Sequence, residues 1–246
     1  MISSQGMHWD FALILLFLGT AVPLLGRRRV RQLMQMPQTT KQDRLLLYAS
    51  TIAFQWVAAG VILWRTAARR ISLASLGFQI PNGGIVALIS ALLAALVLVN
   101  QLVSLNRISH GAGETQGILP ELATKVFPQD FGERLVFFAV VITVSVCEEI
   151  IYRGFAQHVF RNSLWGSVLA GIIASAALFS LAHAYQGKKG IIATFIVGIL
   201  FSTARSLTGS LIPPILAHFV ADFTAGMLAP SRFRSSKAFS REEPVK

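Results

Sequence analysis

Long apolar stretches separated by short polar segments run through most of the chain. Seven stretches qualify as candidate membrane spans: approximately Trp9–Leu25, Leu45–Trp64, Ile85–Leu105, Leu135–Tyr152, Trp165–Ala184, Ile191–Ala204 and Leu211–Leu228. A helix needs about 20 apolar residues to cross the hydrocarbon of a bilayer, and the first and sixth stretches are shorter than this. The pattern predicts an all-α membrane protein, a polytopic bundle of about seven transmembrane helices within a range of six to eight.

Composition supports the same class. The 246 residues are 54% hydrophobic and only 13% charged, and the mean hydropathy is +0.61. Soluble domains are about one quarter charged, so this balance favours a membrane protein over a cytosolic one. Cys147 is the single cysteine, which excludes an intrachain disulfide framework and a multi-cysteine zinc or iron–sulfur site.

The net charge of +11 predicts lipid contacts rather than nucleic-acid binding. Basic residues cluster beside the apolar stretches, where anionic headgroups of the bilayer are the expected partners. With the N-terminus outside, 16 of the 22 Lys and Arg residues fall on the cytoplasmic side. The positive-inside tendency therefore predicts an outside N-terminus and a cytoplasmic C-terminus. Tryptophans at the ends of stretches fit interfacial anchors, namely Trp9, Trp64 and Trp165.

Two adjacent acids interrupt the fourth apolar stretch, in the pattern Glu148-Glu149-x-x-x-Arg153. Residues four apart share one face of a helix, so Glu149 and Arg153 are expected to form an ion pair. Glu148 points about 100° away and has no partner on its own helix. An acid among apolar neighbours suits a general base or acid. The alternative is that both acids lie solvated in the headgroup region.

Histidines occur in two later stretches. His183 shares a helix face with Phe179, and His218 shares one with Asp222. An aspartate one turn away can fix the tautomer of a histidine. Ionisable groups at membrane depth are costly, and they usually face a cavity and serve function. The alternatives are an interfacial or core histidine at 183 and a polar link between helices at His218 and Asp222.

These three motifs together resemble those of the CAAX protease and bacteriocin-processing family (CPBP, also called Abi). The family pattern is EExxxR, then FxxxH, then HxxxN or HxxxD, and the chain has all three in that order. The resemblance is strong over residues 127–228 and thin before them. It divides the chain into N-terminal transmembrane helices (1–126), a catalytic helical core (127–228) and a basic tail (229–246), for which we expect disorder or lipid association.

The resemblance implies an intramembrane endopeptidase with its active site inside the bundle, acting on membrane-associated proteins or peptides. Glu148 and His183 would hold and deprotonate a water, and His218 and Asp222 would stabilise the oxyanion. An ionised aspartate cannot donate a hydrogen bond, so we expect Asp222 to act by orienting His218. Supporting roles fall to three further residues: Glu149, Arg153 and Phe179.

Other chemistries are weighed against this one. No cofactor is expected; zinc is an alternative that we do not favour, because the candidate ligands are dispersed and no HExxH pair occurs. Cys147 lies about 100° around the helix from Glu148, and apolar packing explains it better than nucleophilic catalysis. The non-enzymatic alternative is an inactive membrane scaffold of the same family. The expected partners are a peptide or membrane-protein substrate and the lipid bilayer, with no nucleic acid; the oligomeric state is open.

Glu148 and His183 can share one site only if their helices bring them to the same membrane depth. A fourth helix that ended at Tyr152 would leave Glu148 and His183 at opposite membrane depths. We therefore expect this helix to continue through Gly154–Phe160 and to turn near Asn162. His218, a few residues after Pro213 and Pro214, still looks too shallow, so at least one predicted boundary must be wrong or one segment broken.

Overall fold

The computed structural model describes residues 7–109, 118–164 and 166–239, and every regular element within them is helical. In chain order the elements are α1 (Trp9–Gly19), α2 (Ala21–Gln35), α3 (Lys41–Ala68), α4 (Leu73–Leu76), α5 (Gly83–Ser109), α6 (Ile118–Val126), α7 (Phe131–Glu149), a π-helical segment (Ile150–Ala156), α8 (Gln157–Ser163), α9 (Val168–Ala182), a 3₁₀ turn (Ala184–Gln186), α10 (Gly187–Thr208) and α11 (Ile212–Phe239).

Five helical stretches among the described residues are long and apolar enough to cross a membrane: Trp9–Gln35, Lys41–Ala68, Gly83–Ser104, Phe131–Ser163 and Ala184–Thr208. The apolar helix α9 has 15 residues and is shorter. The all-helical class is thus confirmed for the described residues, and the five apolar stretches fit an integral membrane protein, but a count of seven spans is not confirmed. The orientation of the termini stays a prediction. Trp9 and Trp64 are exposed, as interfacial anchors would be, whereas Trp165 lies outside the described residues.

The first predicted stretch is longer than expected. Helix continues from α1 into α2 and reaches Gln35, ten residues beyond the predicted end at Leu25. A local break at Thr20 separates the two parts, and the Thr20 hydroxyl donates to the Leu16 carbonyl at 2.6 Å. Pro23 in the next turn has no N–H to continue the hydrogen-bond ladder. The result is a long helical element bent at Thr20.

The fourth predicted stretch ended too early at Tyr152. Helical structure runs without interruption through α7, the π-helical segment and α8 to Ser163. The continuation through Gly154–Phe160 that a shared site demands is therefore confirmed. The chain then turns, and Ser167 starts α9 by accepting a hydrogen bond from the Ala170 N–H at 3.2 Å.

Helices pack in neighbouring pairs, chiefly α5 with α11, α9 with α10, and α3 with α7. Between α9 and α10 the approach is close: a Cβ added to Gly198 would lie 3.0 Å from Cα and Cβ of Ala176. A core of large side chains joins α1, the π-helical segment and α9; it includes Phe11, Leu18, Tyr152, Phe155, Leu178 and Phe179. This core forms one wall of the region where the predicted site residues lie.

Ion pairs also join the helices. Arg44 on α3 donates to both oxygens of Glu133 on α7, at 3.0 and 2.7 Å, and both side chains are buried. Asp10 accepts from Arg65 and Arg69 and so ties α1 to α3. Asp130 caps α7, and the Lys41 ammonium 2.7 Å away lowers the pKa of the Asp130 carboxyl. These contacts fix α3 beside α7 and α1 beside α3.

The basic tail expected after residue 228 begins inside a helix. Helix α11 continues from Ile212 to Phe239. Residues 229–239 are therefore helical rather than disordered, and the alternative of lipid association stays a prediction. Residues 240–246 lie outside the part of the chain that the structure describes.

Candidate active site

The two acids of the first motif lie where α7 passes into the π-helical segment. There the Tyr152 carbonyl accepts from the N–H of Gln157, five residues on, and from the Ser175 hydroxyl at 2.7 Å. A π-helical turn has a wider backbone than an α-helix and leaves carbonyls displaced, and such turns occur frequently at functional sites. The Ser175 hydroxyl of α9 gives the Tyr152 carbonyl a second hydrogen bond. The local distortion is thus supported by a neighbouring helix.

Glu149 is completely buried and binds two partners through the same oxygen. Its Oε1 accepts from Nη1 of Arg153 at 2.9 Å and from Nδ1 of His218 at 2.7 Å. The ion pair predicted from the i, i+4 spacing is therefore present. The contact with His218 was not predicted, since it joins α7 to α11. A carboxylate only accepts, so Nδ1 of His218 carries the proton in this bond.

Arg153 lies between aromatic rings in the core. Its guanidinium carbon is 4.1 Å from the ring centroid of Phe179 and 5.2 Å from that of Phe201. Its side chain is fully buried. Cation–π contacts of this kind stabilise a guanidinium that has left water. Phe179, predicted as a supporting residue, thus packs directly against the arginine of the first motif.

Glu148 faces a different neighbour. Its Oε1 accepts from Nε2 of Gln55 on α3 at 2.8 Å, while its Oε2 is buried without a hydrogen-bond partner among the described residues. Glu148 lines a cavity of about 120 Å³ together with His183. The other lining residues are Leu18, Val22, Phe54, Gln55, Ala58, Ile151, Tyr152, Ala182 and Tyr185. Glu148 and His183 therefore share one small, largely apolar space.

His183 lies at the C-terminal end of α9. Its Nδ1 is 2.9 Å from the Phe179 carbonyl, which can only accept, so Nδ1 carries a proton, and in the neutral imidazole Nε2 is the acceptor. The rings of His183 and Phe179 are 4.5 Å apart. These contacts fix the tautomer and the plane of the imidazole. A neutral histidine held in this way can accept a proton or a hydrogen bond through Nε2.

His218 lies in the second turn of α11 and faces two carboxylates. Beyond its bond to Glu149, its Nε2 is 3.6 Å from Oδ2 of Asp222. That separation is longer than a hydrogen bond, although close enough for strong attraction between charges. The Asp222 side chain is 39% exposed. Glu149, not Asp222, is thus the nearer partner that orients His218.

The structure brings the predicted residues together in two linked groups. Glu148 and His183 line the cavity, and Glu149, Arg153, Phe179 and His218 form a buried cluster beside it. Asp222 joins the second group through His218, and its charge also interacts with Glu148 and His183. The role of each residue in a reaction stays a prediction.

Three residues near Glu148 were missed from the sequence: Gln55, Tyr152 and Tyr185. The sequence does contain a hint of Gln55, since it is a polar side chain in the middle of the apolar stretch Leu45–Trp64. Tyr152 and Tyr185 left none, because tyrosines are common near membrane surfaces.

A metal site and a cysteine nucleophile were the competing chemistries. Within the described residues no three His, Cys, Asp or Glu side chains come together as metal ligands would. The expectation that no metal is needed stays a prediction for experiment. Cys147 is fully buried and packs with Ala59, Ile150 and Leu211, as expected of a small apolar side chain.

Comparison with known protein families identifies the part of the chain that contains the three motifs. A model of the family described as type II CAAX prenyl endopeptidase Rce1-like matches residues 130–224. Residues 130–224 are thus similar to that family, and they are called the Rce1-like segment below. The match agrees with the CPBP resemblance seen in the three motifs and confirms it. Glu148, His183, His218 and Asp222 all lie inside the Rce1-like segment, whereas Gln55 lies outside it.

One curated relative is an "Uncharacterized 24.3 kDa protein" of Escherichia coli, 33% identical over 95 residues. The matched stretch covers 38% of this chain and 43% of that relative, which is less than half of either. No solved structure matches the chain. The likeness therefore extends over only part of each protein.

Proposed function

We propose that the chain is an intramembrane endopeptidase that hydrolyses peptide bonds of membrane-associated protein or peptide substrates with an activated water. The shared cavity carries this proposal: Glu148 from α7 and His183 from the end of α9 line the same space. The surrounding segment, residues 130–224, is Rce1-like. A carboxylate and an imidazole that face one cavity supply the groups that acid–base hydrolysis needs.

In the proposed reaction a water binds between Glu148 and His183. Glu148 takes a proton from the water, and the water oxygen forms a bond to the carbon of the scissile carbonyl. The tetrahedral intermediate then collapses with cleavage of the C–N bond. The leaving nitrogen takes the proton from Glu148, which returns the carboxylate to its initial state. His183, with Nδ1 held by the Phe179 carbonyl, accepts a hydrogen bond from the water through Nε2.

His218 stabilises the oxyanion in this proposal. Its Nδ1–H is committed to Glu149, so a second donor at Nε2 exists in the imidazolium form. The carboxylates of Glu149 and Asp222, 2.7 and 3.6 Å from the two ring nitrogens, both stabilise that positive charge. Asp222 then acts through His218 and needs no proton of its own. Because this role needs no hydrogen-bond donor on residue 222, an aspartate fits the position, at which the family pattern allows asparagine or aspartate.

An inactive scaffold is the second candidate, and one observation favours it. Both ring nitrogens of His218 face carboxylates, an arrangement that also serves to link helices in the absence of a reaction. Under this hypothesis the buried cluster stabilises the bundle, and the cavity has no chemical role. The two candidates differ in whether Glu148 is needed for any turnover.

The test is cleavage of a helical membrane peptide by the purified protein in lipid vesicles. We expect Glu148→Gln and His183→Ala each to lower the rate by at least 100-fold, as expected for loss of a general base, while the protein still inserts. Glu121→Gln, which changes a half-exposed surface carboxylate, is the matched control and should keep the wild-type rate. Wild-type turnover by Glu148→Gln would overturn the proposed function.

Two further measurements address the metal and the substrate. We expect a chelator titration of the wild type to leave the rate unchanged; a loss that zinc restores would establish metal dependence. Comparing protein termini in membranes that contain the wild type or Glu148→Gln should reveal termini present with the wild type alone. Those termini identify the natural substrates and their cleavage sites.

A further inference from the structure

We infer that Gln55 on α3 is a positioning residue that orients the Glu148 carboxylate, and this inference rests on the proposed hydrolysis. Gln55 lies 93 positions before Glu148 and outside the Rce1-like segment. Nothing in the three motifs points to it. The assignment comes from the geometry of α3 against α7 alone.

The contact between the two side chains is direct and shielded. Nε2 of Gln55 donates to Oε1 of Glu148 at 2.8 Å, and Gln55 is 9% exposed. Helices α3 and α7 are packed side by side, and the buried pair of Arg44 and Glu133 joins the same two helices elsewhere along their length. Because this second contact fixes the register between the helices, Gln55 is held opposite Glu148.

The hydrogen bond makes the two oxygens of Glu148 unequal. Oε1 is engaged by the amide, whereas Oε2 is buried and has no partner among the described residues. Gln55 and Glu148 both line the cavity with His183. With Oε1 held, rotation of the carboxylate is restricted, and Oε2 is the oxygen whose hydrogen-bonding capacity is unused among the described residues. A general base must be held within hydrogen-bond reach of the proton that it removes.

An amide suits this position chemically. Its N–H group stabilises the ionised carboxylate that a general base requires. It is neutral, so it does not form a full ion pair with the base, as a lysine or arginine would. It also is not an ionisable acid or base, so it does not compete for the proton taken from water.

The other titratable groups around Glu148 lie on its own helix, at or just after the end of α9, and on α11. They are Cys147, Glu149, Tyr152 and Arg153 on its own helix, His183 and Tyr185 at the end of α9, and His218 and Asp222 on α11. None of these belongs to α3. A change at Gln55 therefore alters the surroundings of Glu148 without replacing any titratable group.

The experiment compares kcat, KM and the pH dependence of kcat for the wild type and Gln55→Met in lipid vesicles. Methionine has nearly the same length and no donor. We expect kcat to fall on the order of 10- to 100-fold, as for a misplaced catalytic group, with KM little changed. Because Gln55 contacts the proposed general base, the pH dependence of kcat should also change, whereas a purely structural loss would leave it as in the wild type.

Gln157→Met is the matched control. Gln157 is buried to a similar extent, at 7% exposed, and donates to the Ser202 carbonyl and the Ser206 hydroxyl instead of a carboxylate. This variant should lose at least as much thermal stability as Gln55→Met while its pH dependence stays that of the wild type. Gln55→Asn keeps the amide on a side chain one methylene shorter and should recover part of the rate. If Gln55→Met fails to insert into the vesicles, Gln55→Asn is compared with the wild type in its place.

The results separate this inference from the proposed function. An inactive Glu148→Gln beside a Gln55→Met variant with wild-type kcat and pH dependence would overturn the inference alone, and Gln55 would be a structural link between α3 and α7. The same change of pH dependence in Gln157→Met would overturn it also, since the effect would then be unspecific. An active Glu148→Gln would overturn the proposed function first.

Discussion

Glu149 and Arg153 show how a charge pair is kept in an apolar interior. Removing two charges from water is expensive, and their attraction offsets that loss only with good geometry and further partners. Here Glu149 also accepts from His218, and Arg153 lies over the rings of Phe179 and Phe201. Each charge thus has more than one partner. The pair is stable as a group, and removing one member leaves the others buried and unmatched.

We therefore expect Arg153→Met to lower the free energy of unfolding by about 3–5 kcal/mol, the range for breaking a buried ion pair. Denaturant titration in detergent micelles measures the loss. Lys41→Met is the control, because its pair with Asp130 is solvent-exposed, and it should leave the stability nearly unchanged. Equal losses in the two variants would contradict a special contribution from the buried cluster.

At the scale of elements, contacts within a helix were predictable and contacts between helices were not. The spacing of Glu149 and Arg153 places them on one face, and the structure has that pair. The bonds from Glu149 to His218 and from Glu148 to Gln55 depend on the register of α7 against α11 and α3. No pattern within a single helix encodes that register. The π-helical segment also left no signal, because local composition does not distinguish it from an α-helix.

Span boundaries were predicted poorly for a related reason. Hydropathy marks where apolar residues occur, yet helices α2 and α8 extend well past those limits with polar side chains. What corrected the fourth boundary was the requirement that Glu148 and His183 meet. The chemistry of the motifs thus constrained the helix more sharply than its hydrophobicity did.

The close approach of α9 and α10 gives a prediction for these elements. We expect Gly198→Ala to lower the free energy of unfolding by about 1–3 kcal/mol, the usual range for overpacking, because the new Cβ would lie 3.0 Å from Ala176. Gly60→Ala is the same change in α3 with nothing within 4 Å, and it should be neutral or stabilising by up to about 1 kcal/mol. If Gly198→Ala matched Gly60→Ala, the helices would not be in tight contact.

At the scale of the whole molecule, the cavity is built by two parts of the chain. Glu148 and His183 come from the Rce1-like segment, whereas Leu18, Gln55 and Ala58 come from helices that precede it. The ion pairs of Asp10 with Arg65 and Arg69 hold α1 against α3, the two helices that carry these cavity residues. The N-terminal helices are therefore part of the candidate site.

Filling the cavity from the side of the N-terminal helices tests whether the proposed hydrolysis takes place there. Ala58→Phe adds a ring to a cavity of about 120 Å³ while Glu148, His183 and His218 remain in place, so we expect cleavage to be lost because neither water nor substrate can enter. Ala53→Phe is the same change at an exposed position of α3, and it should keep the wild-type rate. Both proteins are compared by peptide cleavage and by thermal unfolding in the same vesicles. Full activity of a folded Ala58→Phe protein would show that the reaction takes place elsewhere, since a blocked chamber cannot admit the carbonyl that the water must attack.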